Sequence, residues 1–255
     1  MLQVKNLTIR FGGFSAVDSL SLQVEAGKLT ALIGPNGAGK TTFFNAVSGL
    51  IKPTTGEVLL NGKDLTGAKP YEITKAGMLR SFQIARGFPR LTVFEHLMLY
   101  DQDNPGEKLS TALFGGWRQR EVETAERALA VARRLKIDHV LDNLVTQISG
   151  GQKKLLEIGR GLMAEPQLLL LDEPVAGVNP TLAEQIGDQL RKLVADGLTI
   201  LLIEHDMALV GRIADHVIVM AQGKRLAEGS FESVRNDPAV QDAYLGGGMV
   251  DAVGP

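Results

Sequence analysis

The sequence predicts an α/β fold in which helices cover a mostly parallel sheet, with a small antiparallel side sheet and a helical insertion. Three observations carry that expectation. Short apolar runs are followed by helical periods, at residues 29–33 then 41–48, 168–171 then 182–194, and 199–203 then 207–213. Runs without a polar face, each followed by a crossover helix, are the pattern of a buried parallel sheet. Two-residue alternation at residues 2–10, 16–24 and 57–61 reads instead as antiparallel strands with one face in the core. From Phe88 to Asn143 the strand signals vanish, and Ala125, Ala128, Leu129, Ala132 and Leu135 keep helical spacing across residues 121–136. Glu123 and Arg127 are spaced as an i,i+4 pair on that helix. Residues 1–83 and 150–245 are therefore expected to form a core with an N-terminal antiparallel part, and residues 84–149 a helical subdomain. Residues 101–116, rich in Asn, Pro, Gly and Ser, are expected to be an exposed loop, and the glycine-rich residues 246–255 a frayed tail.

Length and composition narrow the function classes. The chain of 255 residues is 44% hydrophobic and 22% charged, near the globular average, which excludes disordered and fibrous classes. No apolar run approaches the ~20 residues a bilayer requires, and residues 1–10 lack the features of a secretory signal, so a cytoplasmic location is expected. Zero cysteines exclude disulfides and thiolate metal sites. A net charge of −2 gives no footprint for nucleic acid.

Gly34, Pro35, Asn36, Gly37, Ala38, Gly39, Lys40, Thr41 and Thr42 match the P-loop pattern, after an apolar strand and before a helix. Glycine is needed at 34, 37 and 39 because a Cβ would keep the backbone from wrapping its N–H groups around phosphate oxygens. Lys40 supplies a point charge for the β- and γ-phosphates of ATP, the helix start adds its positive end, and the Thr41 hydroxyl suits Mg2+. The run Leu168-Leu169-Leu170-Leu171 ends in Asp172-Glu173-Pro174, at the strand edge where ligands of parallel sheets collect. Asp172 is placed to hold magnesium through its waters, and Glu173 to accept a proton from the attacking water. A third apolar strand delivers His205 to the same edge, where it can touch the γ-phosphate and hold water and Glu173 in line.

Ile148-Ser149-Gly150-Gly151-Gln152 completes the set. Ser149, Gly150 and Gly151 provide a small hydroxyl and bare amides ahead of a helix expected to begin near Gln152, a second anion cap. With the P-loop, the acid pair and His205 in this order, the chain resembles the ABC ATPase family over nearly its whole length. Ile148 replaces the leucine usual in that family's signature. The resemblance implies a P-loop NTPase with a RecA-like core that binds Mg-ATP. Two such domains would pair head to tail, with Ser149, Gly150, Gly151 and Gln152 of each facing nucleotide on the other. It also implies that Phe11 stacks on adenine, with a buried core phenylalanine as the competing reading. Gln83 would reach magnesium and open a coupling loop. Asn179 stands at the end of the family's dimer-contact loop, often Asp there, and equally reads as a helix N-cap before Pro180.

Members that act on DNA carry a long coiled coil before the signature and ribosome-acting members are double, so the resemblance implies a transporter ATPase. Arg80-Ser81-Phe82-Gln83, Ala176-Gly177-Val178-Asn179-Pro180, Ile203-Glu204-His205-Asp206-Met207 and Ala243-Tyr244-Leu245-Gly246 are similar to the larger ATPase of branched-chain amino acid importers. Urea and amide importers and the lipopolysaccharide-export ATPase share many of these residues. The implied partners are transmembrane permease subunits, a second ATPase subunit as homodimer or sister-chain heterodimer, and indirectly a solute-binding protein, with no nucleic acid. The implied location is the inner face of the cell membrane, held peripherally.

Overall fold

A computed structural model of the chain describes residues 1–81, 88–101 and 117–245. Residues 102–116 of the expected loop at 101–116, the tail at 246–255 and Gln83 lie outside the described residues. The strands are β1 (Leu2–Phe11), β2 (Phe14–Val24), β3 (Leu29–Ile33), β4 (Thr55–Leu60), β5 (Lys63–Asp64), β6 (Met78–Arg80), β7 (Leu168–Asp172), β8 (Thr199–Ile203), β9 (His216–Ala221) and β10 (Lys224–Gly229). The helices are α1 (Lys40–Val47), α2 (Pro70–Lys75), α3 (Val93–Met98), α4 (Trp117–Arg134), α5 (Gly150–Met163), α6 (Pro180–Ala195), α7 (Met207–Ile213), α8 (Phe231–Arg235) and α9 (Pro238–Leu245). Contacts divide the chain into two compact units, residues 1–80 with 167–255, and residues 81–166.

In the first unit the antiparallel sheet has the order β2-β1-β4-β5. Its alternation slips once in each long strand. Leu2 and Val4 of β1 point inward, then Leu7 and Ile9 do, because a bulge at Asn6, with φ of 47°, takes up one residue. Ser19, with φ of 52°, makes the same correction in β2 between Val17 and Leu20.

The second sheet has the order β10-β9-β3-β8-β7-β6, parallel except for the antiparallel edge pair β9–β10. Both faces of its centre are buried, which is why its strands read as unbroken apolar runs. Leu32, Leu168, Leu170, Leu201, Ile203, Ile218 and Met220 pack with Phe43 and Phe44 of α1 and with the antiparallel sheet. The alternate residues Ala31, Ile33, Val217 and Val219 pack with Val210, Val234 and Val240 from α7, α8 and α9. The sequence reading missed β9 and β10. Their hairpin turns at Gln222 and Gly223, both with positive φ (49° and 78°), the backbone that a tight two-residue turn requires.

In the second unit α3, α4 and α5 pack together, with a short 3-10 turn at Asp138–Val140. A Cβ on Gly159 of α5 would come within 3.0 Å of Leu135 and 3.1 Å of Leu97, so glycine permits the close approach. Two expectations change here. Helix α5 belongs to this unit, so the second boundary falls after Pro166 and not after Ser149. The Glu123–Arg127 pair is not formed: Arg127 turns to the buried Asp101 at 2.9 Å and to Glu165 at 3.2 Å, while Glu123 meets Arg120 at 3.5 Å. A nearly buried carboxylate has more to gain from a guanidinium than a surface glutamate has.

Candidate nucleotide site

Strand β3 runs straight into the loop 34–39 and helix α1, and the glycines decide its path. At Gly34, φ is 148° and an added Cβ would lie 2.0 Å from the Met220 carbonyl oxygen of β9. At Gly39, φ is 98° and a Cβ would lie 2.3 Å from the Ala16 carbonyl oxygen of β2. Gly37 is also left-handed, with φ of 80°, but a Cβ there would meet open space, so its glycine serves conformation alone. The loop is braced from behind by the β9–β10 turn: Gly223 N–H donates to Ala38 O at 3.0 Å, and Asp18 N–H donates to Gly223 O at 2.9 Å.

Gly39 is the N-cap of α1 and offers no side-chain acceptor. Among the described residues, no group accepts from the amides of Asn36, Gly37, Gly39, Lys40, Thr41 or Thr42. Such a row of free donors at a helix start fits a polyphosphate. Lys40 Nζ is held over the loop by Gly34 O at 2.6 Å and Pro35 O at 3.0 Å. Burial pulls its pKa down, and the nearby Glu173 and Asp172 charges oppose that pull.

Strands β3, β8 and β7 lie side by side, so the loop 34–39, His205 and Asp172-Glu173 emerge at one edge with His205 on the central strand. Glu173 N–H extends the ladder to Ile203 O at 2.9 Å, after which the chain turns through a left-handed Glu173, φ 50°. That conformation costs a non-glycine residue about 1–2 kcal/mol. His205 Nε2 lies 2.9 Å from Glu173 Oε1, leaving Oε2 for another partner. Asp172 Oδ2 is paired with Arg80 Nη2 at 2.8 Å, and Arg80 Nη1 also donates to Asn45 Oδ1 at 2.5 Å. Both partners of the ion pair are nearly buried. The sequence reading missed this role of Arg80. The signal available was a single basic residue closing the short apolar strand β6.

Two more residues were missed. Glu204 is 3% exposed, and its Oε1 accepts from Val175 N–H at 3.2 Å while its Oε2 accepts from His205 N–H at 3.0 Å. Burial pushes its pKa up, against the backbone amides that favour the ionised form. Tyr244 of α9 packs on the apolar cluster that contains Ile33, and its buried hydroxyl has no partner of ordinary hydrogen-bond geometry. Burial raises its pKa to about 12, with only a weak opposing pull from the Gly34 amide.

Phe11 lies 52% exposed at the end of β1, opposite Phe14 across the Gly12-Gly13 turn, which removes the core reading. Thr41 is exposed at the start of α1. Among the described residues no three His, Asp or Glu side chains cluster to hold a metal. With Asp172 and Thr41 alone, the protein supplies a minority of an octahedral oxygen shell, which suits a magnesium ion that keeps waters and phosphate oxygens.

In the second unit Ser149 is the N-cap of α5, which begins at Gly150 and not near Gln152. Its Oγ accepts from Gln152 N–H at 3.3 Å, and Gln152 Oε1 accepts from Ser149 N–H at 2.8 Å, a reciprocal capping box. Gln152 Nε2 faces His139 Nε2 at 3.2 Å. Gly150 is exposed and Gly151 buried. Asn179 caps α6, accepting from Leu182 N–H at 2.9 Å, with Pro180 at the first helical position.

A parallel sheet whose central edge carries a glycine-rich anion loop, an acid pair and a histidine defines a P-loop nucleoside triphosphatase. Residues 17–176 match the family profile of the ABC transporter, and the chain belongs to that family. Residues 224–249 match a second profile, described as the branched-chain amino acid ATP-binding cassette transporter. The chain is 40% identical over 246 residues to the probable branched-chain amino acid transport ATP-binding protein LivG of Archaeoglobus fulgidus, covering 96% of this chain and 95% of that one. It is 38% identical over 253 residues to the high-affinity branched-chain amino acid transport ATP-binding protein LivG of Escherichia coli, covering 96% and 98%. Among solved structures, the ADP conformation of MJ1267, an ATP-binding cassette of an ABC transporter, superposes with a TM-score of 0.85 at 37% identity, covering 96% and 98%.

Proposed function

We propose that the chain hydrolyses ATP to power import of branched-chain or other hydrophobic amino acids through separate membrane subunits. The observation that carries the ATPase reading is the meeting, at one sheet edge, of six free loop and helix amides, Lys40 and the Glu173–His205 pair. Those six amides and the Lys40 side chain bind the β- and γ-phosphates, and Phe11 offers its exposed ring to adenine. Thr41 and Asp172 hold Mg2+, with Gln83 as a further ligand. Bound magnesium would neutralise developing charge on the phosphate oxygens. Glu173 accepts the proton of the attacking water on Oε2 while His205 fixes Oε1. Arg80 holds Asp172 in place from β6.

Ser149, Gly150, Gly151 and Gln152 serve the nucleotide of a second ATPase subunit, the same chain or a sister. Its hydroxyl proton remains free to be donated while Ser149 Oγ caps its own helix. No described helix is long and apolar enough to cross a membrane, so the pathway belongs to permease chains on whose inner face this subunit is held. The cargo assignment is supported by the match at 224–249 and by the names of the relatives, and a solute-binding protein would select it.

Glu173→Gln is the test. Steady-state hydrolysis falls by about three orders of magnitude or more, while affinity for Mg-ATP stays within a few-fold. Rapid turnover by that variant would remove Glu173 from the role of base.

A further inference from the structure

We infer that Glu204 is a positioning residue for hydrolysis: its carboxylate ties the backbone that carries Glu173 to the backbone that carries His205. The inference rests on the proposed roles of those two residues. Val175 lies two residues beyond Glu173, on the far side of its left-handed turn. His205 directly follows Glu204 at the end of β8. One oxygen of Glu204 accepts from Val175 N–H and the other from His205 N–H, so the two loops are joined through a single rigid carboxylate. Glu204 is almost fully buried, and among the described residues no lysine or arginine is paired with it.

A buried carboxylate without a cation is expensive unless amides solvate it. A neutral side chain would remove that cost, so stability alone does not call for an acid here. The acid does offer something a neutral group lacks. It presents acceptors on both oxygens and no hydrogen, so it receives two N–H groups from opposite loops at once. The cavity beside it, about 210 Å3, is lined by Glu173, Val175, Ala176, His205 and Glu204 itself. The clamp therefore forms one wall of a cavity that Glu173 and His205 also line. The 2.9 Å contact between His205 and Glu173 depends on the relative height of two loop backbones, which Glu204 helps to set beyond the Glu173 N–H to Ile203 O bond.

Glu204→Gln tests this with little change of volume. An amide has one accepting oxygen, and its NH2 group would face an N–H donor, so one loop is released. In the full-length chain with its transporter partners, kcat at saturating ATP falls about 10- to 100-fold, the scale of a misplaced catalytic group. KM for ATP and the melting temperature stay near wild type, and Glu204→Asp, one methylene short, shows the same split. In the Glu173→Gln background, adding Glu204→Gln produces no further loss, because both act on one step. Wild-type kcat in Glu204→Gln overturns the inference, as does a loss of activity matched by loss of ATP affinity or of folded protein in both Glu204 variants. Turnover by Glu173→Gln alone is a separate result: it sinks the hydrolytic reading on which the clamp depends.

Discussion

Single side chains in this protein do unlike work at neighbouring positions. Lys40 is held by its own loop carbonyls, Asp172 is paired with Arg80, and both oxygens of Glu204 accept from amides. Tyr244 is the exception, a buried hydroxyl without a proper partner. Its raised pKa has a consequence for alkaline stability. The unfolded chain releases that proton near 10, whereas the folded protein keeps it until about 12. Between those values the folded state binds more protons, so stability falls as pH rises, by on the order of 2 kcal/mol in full. Denaturant titrations of wild type and Tyr244→Phe between pH 9.5 and about 12 should show the variant losing less stability across that window; parallel losses would mean the hydroxyl titrates normally. Gly34, Lys40, Asp172, Glu173 and His205 were legible in the sequence because each follows a strand that must end at one edge. Arg80, Glu204 and Tyr244 were not, since their meaning comes from partners that lie far off in sequence or in the backbone of another loop. The left-handed Glu173 left no compositional trace either, as glycine would have done.

Elements repeat the same contrast. The buried strands β7 and β8 announced themselves by four consecutive apolar residues each, and β3 by three after Thr30. The edge strand β10 carries Lys224, Arg225 and Glu228, which discourage further pairing and make it resemble a polar loop. Helix α4 was visible by its period, but its buried stripe runs through Thr124, Ala128, Val131 and Ala132, with Ala125 and Leu129 at its margin. Helix α5 shows how much depends on a first turn. Removing the Ser149 hydroxyl by Ser149→Ala deletes one half of the capping box and should destabilise the folded protein by about 1 kcal/mol. Hydrogen exchange in the first turn of α5 should quicken in parallel, and unchanged protection there would show that the cap contributes nothing.

For the molecule as a whole, the proposed cycle makes assembly depend on nucleotide. The Glu173→Gln variant with Mg-ATP should shift in light scattering from one subunit to two, or to a pair with its sister ATPase when that chain is added, and should return on exchange into ADP. A mass that ignores nucleotide, with both candidate partners present, would contradict head-to-tail pairing. The described surface offers exposed aromatic rings at Phe11 and Phe14 and a charged edge at β10, and neither pattern alone would have revealed a cassette. One brace has a temporal meaning as well. The carbonyl of Ala38 accepts from the N–H of Gly223, a residue the ribosome adds long after the loop that it braces. Until the β9–β10 hairpin emerges, a growing polypeptide owns the strand and the helix of its anion cradle without their backing. Competence to retain nucleotide should thus wait for that hairpin and not arise with the loop itself.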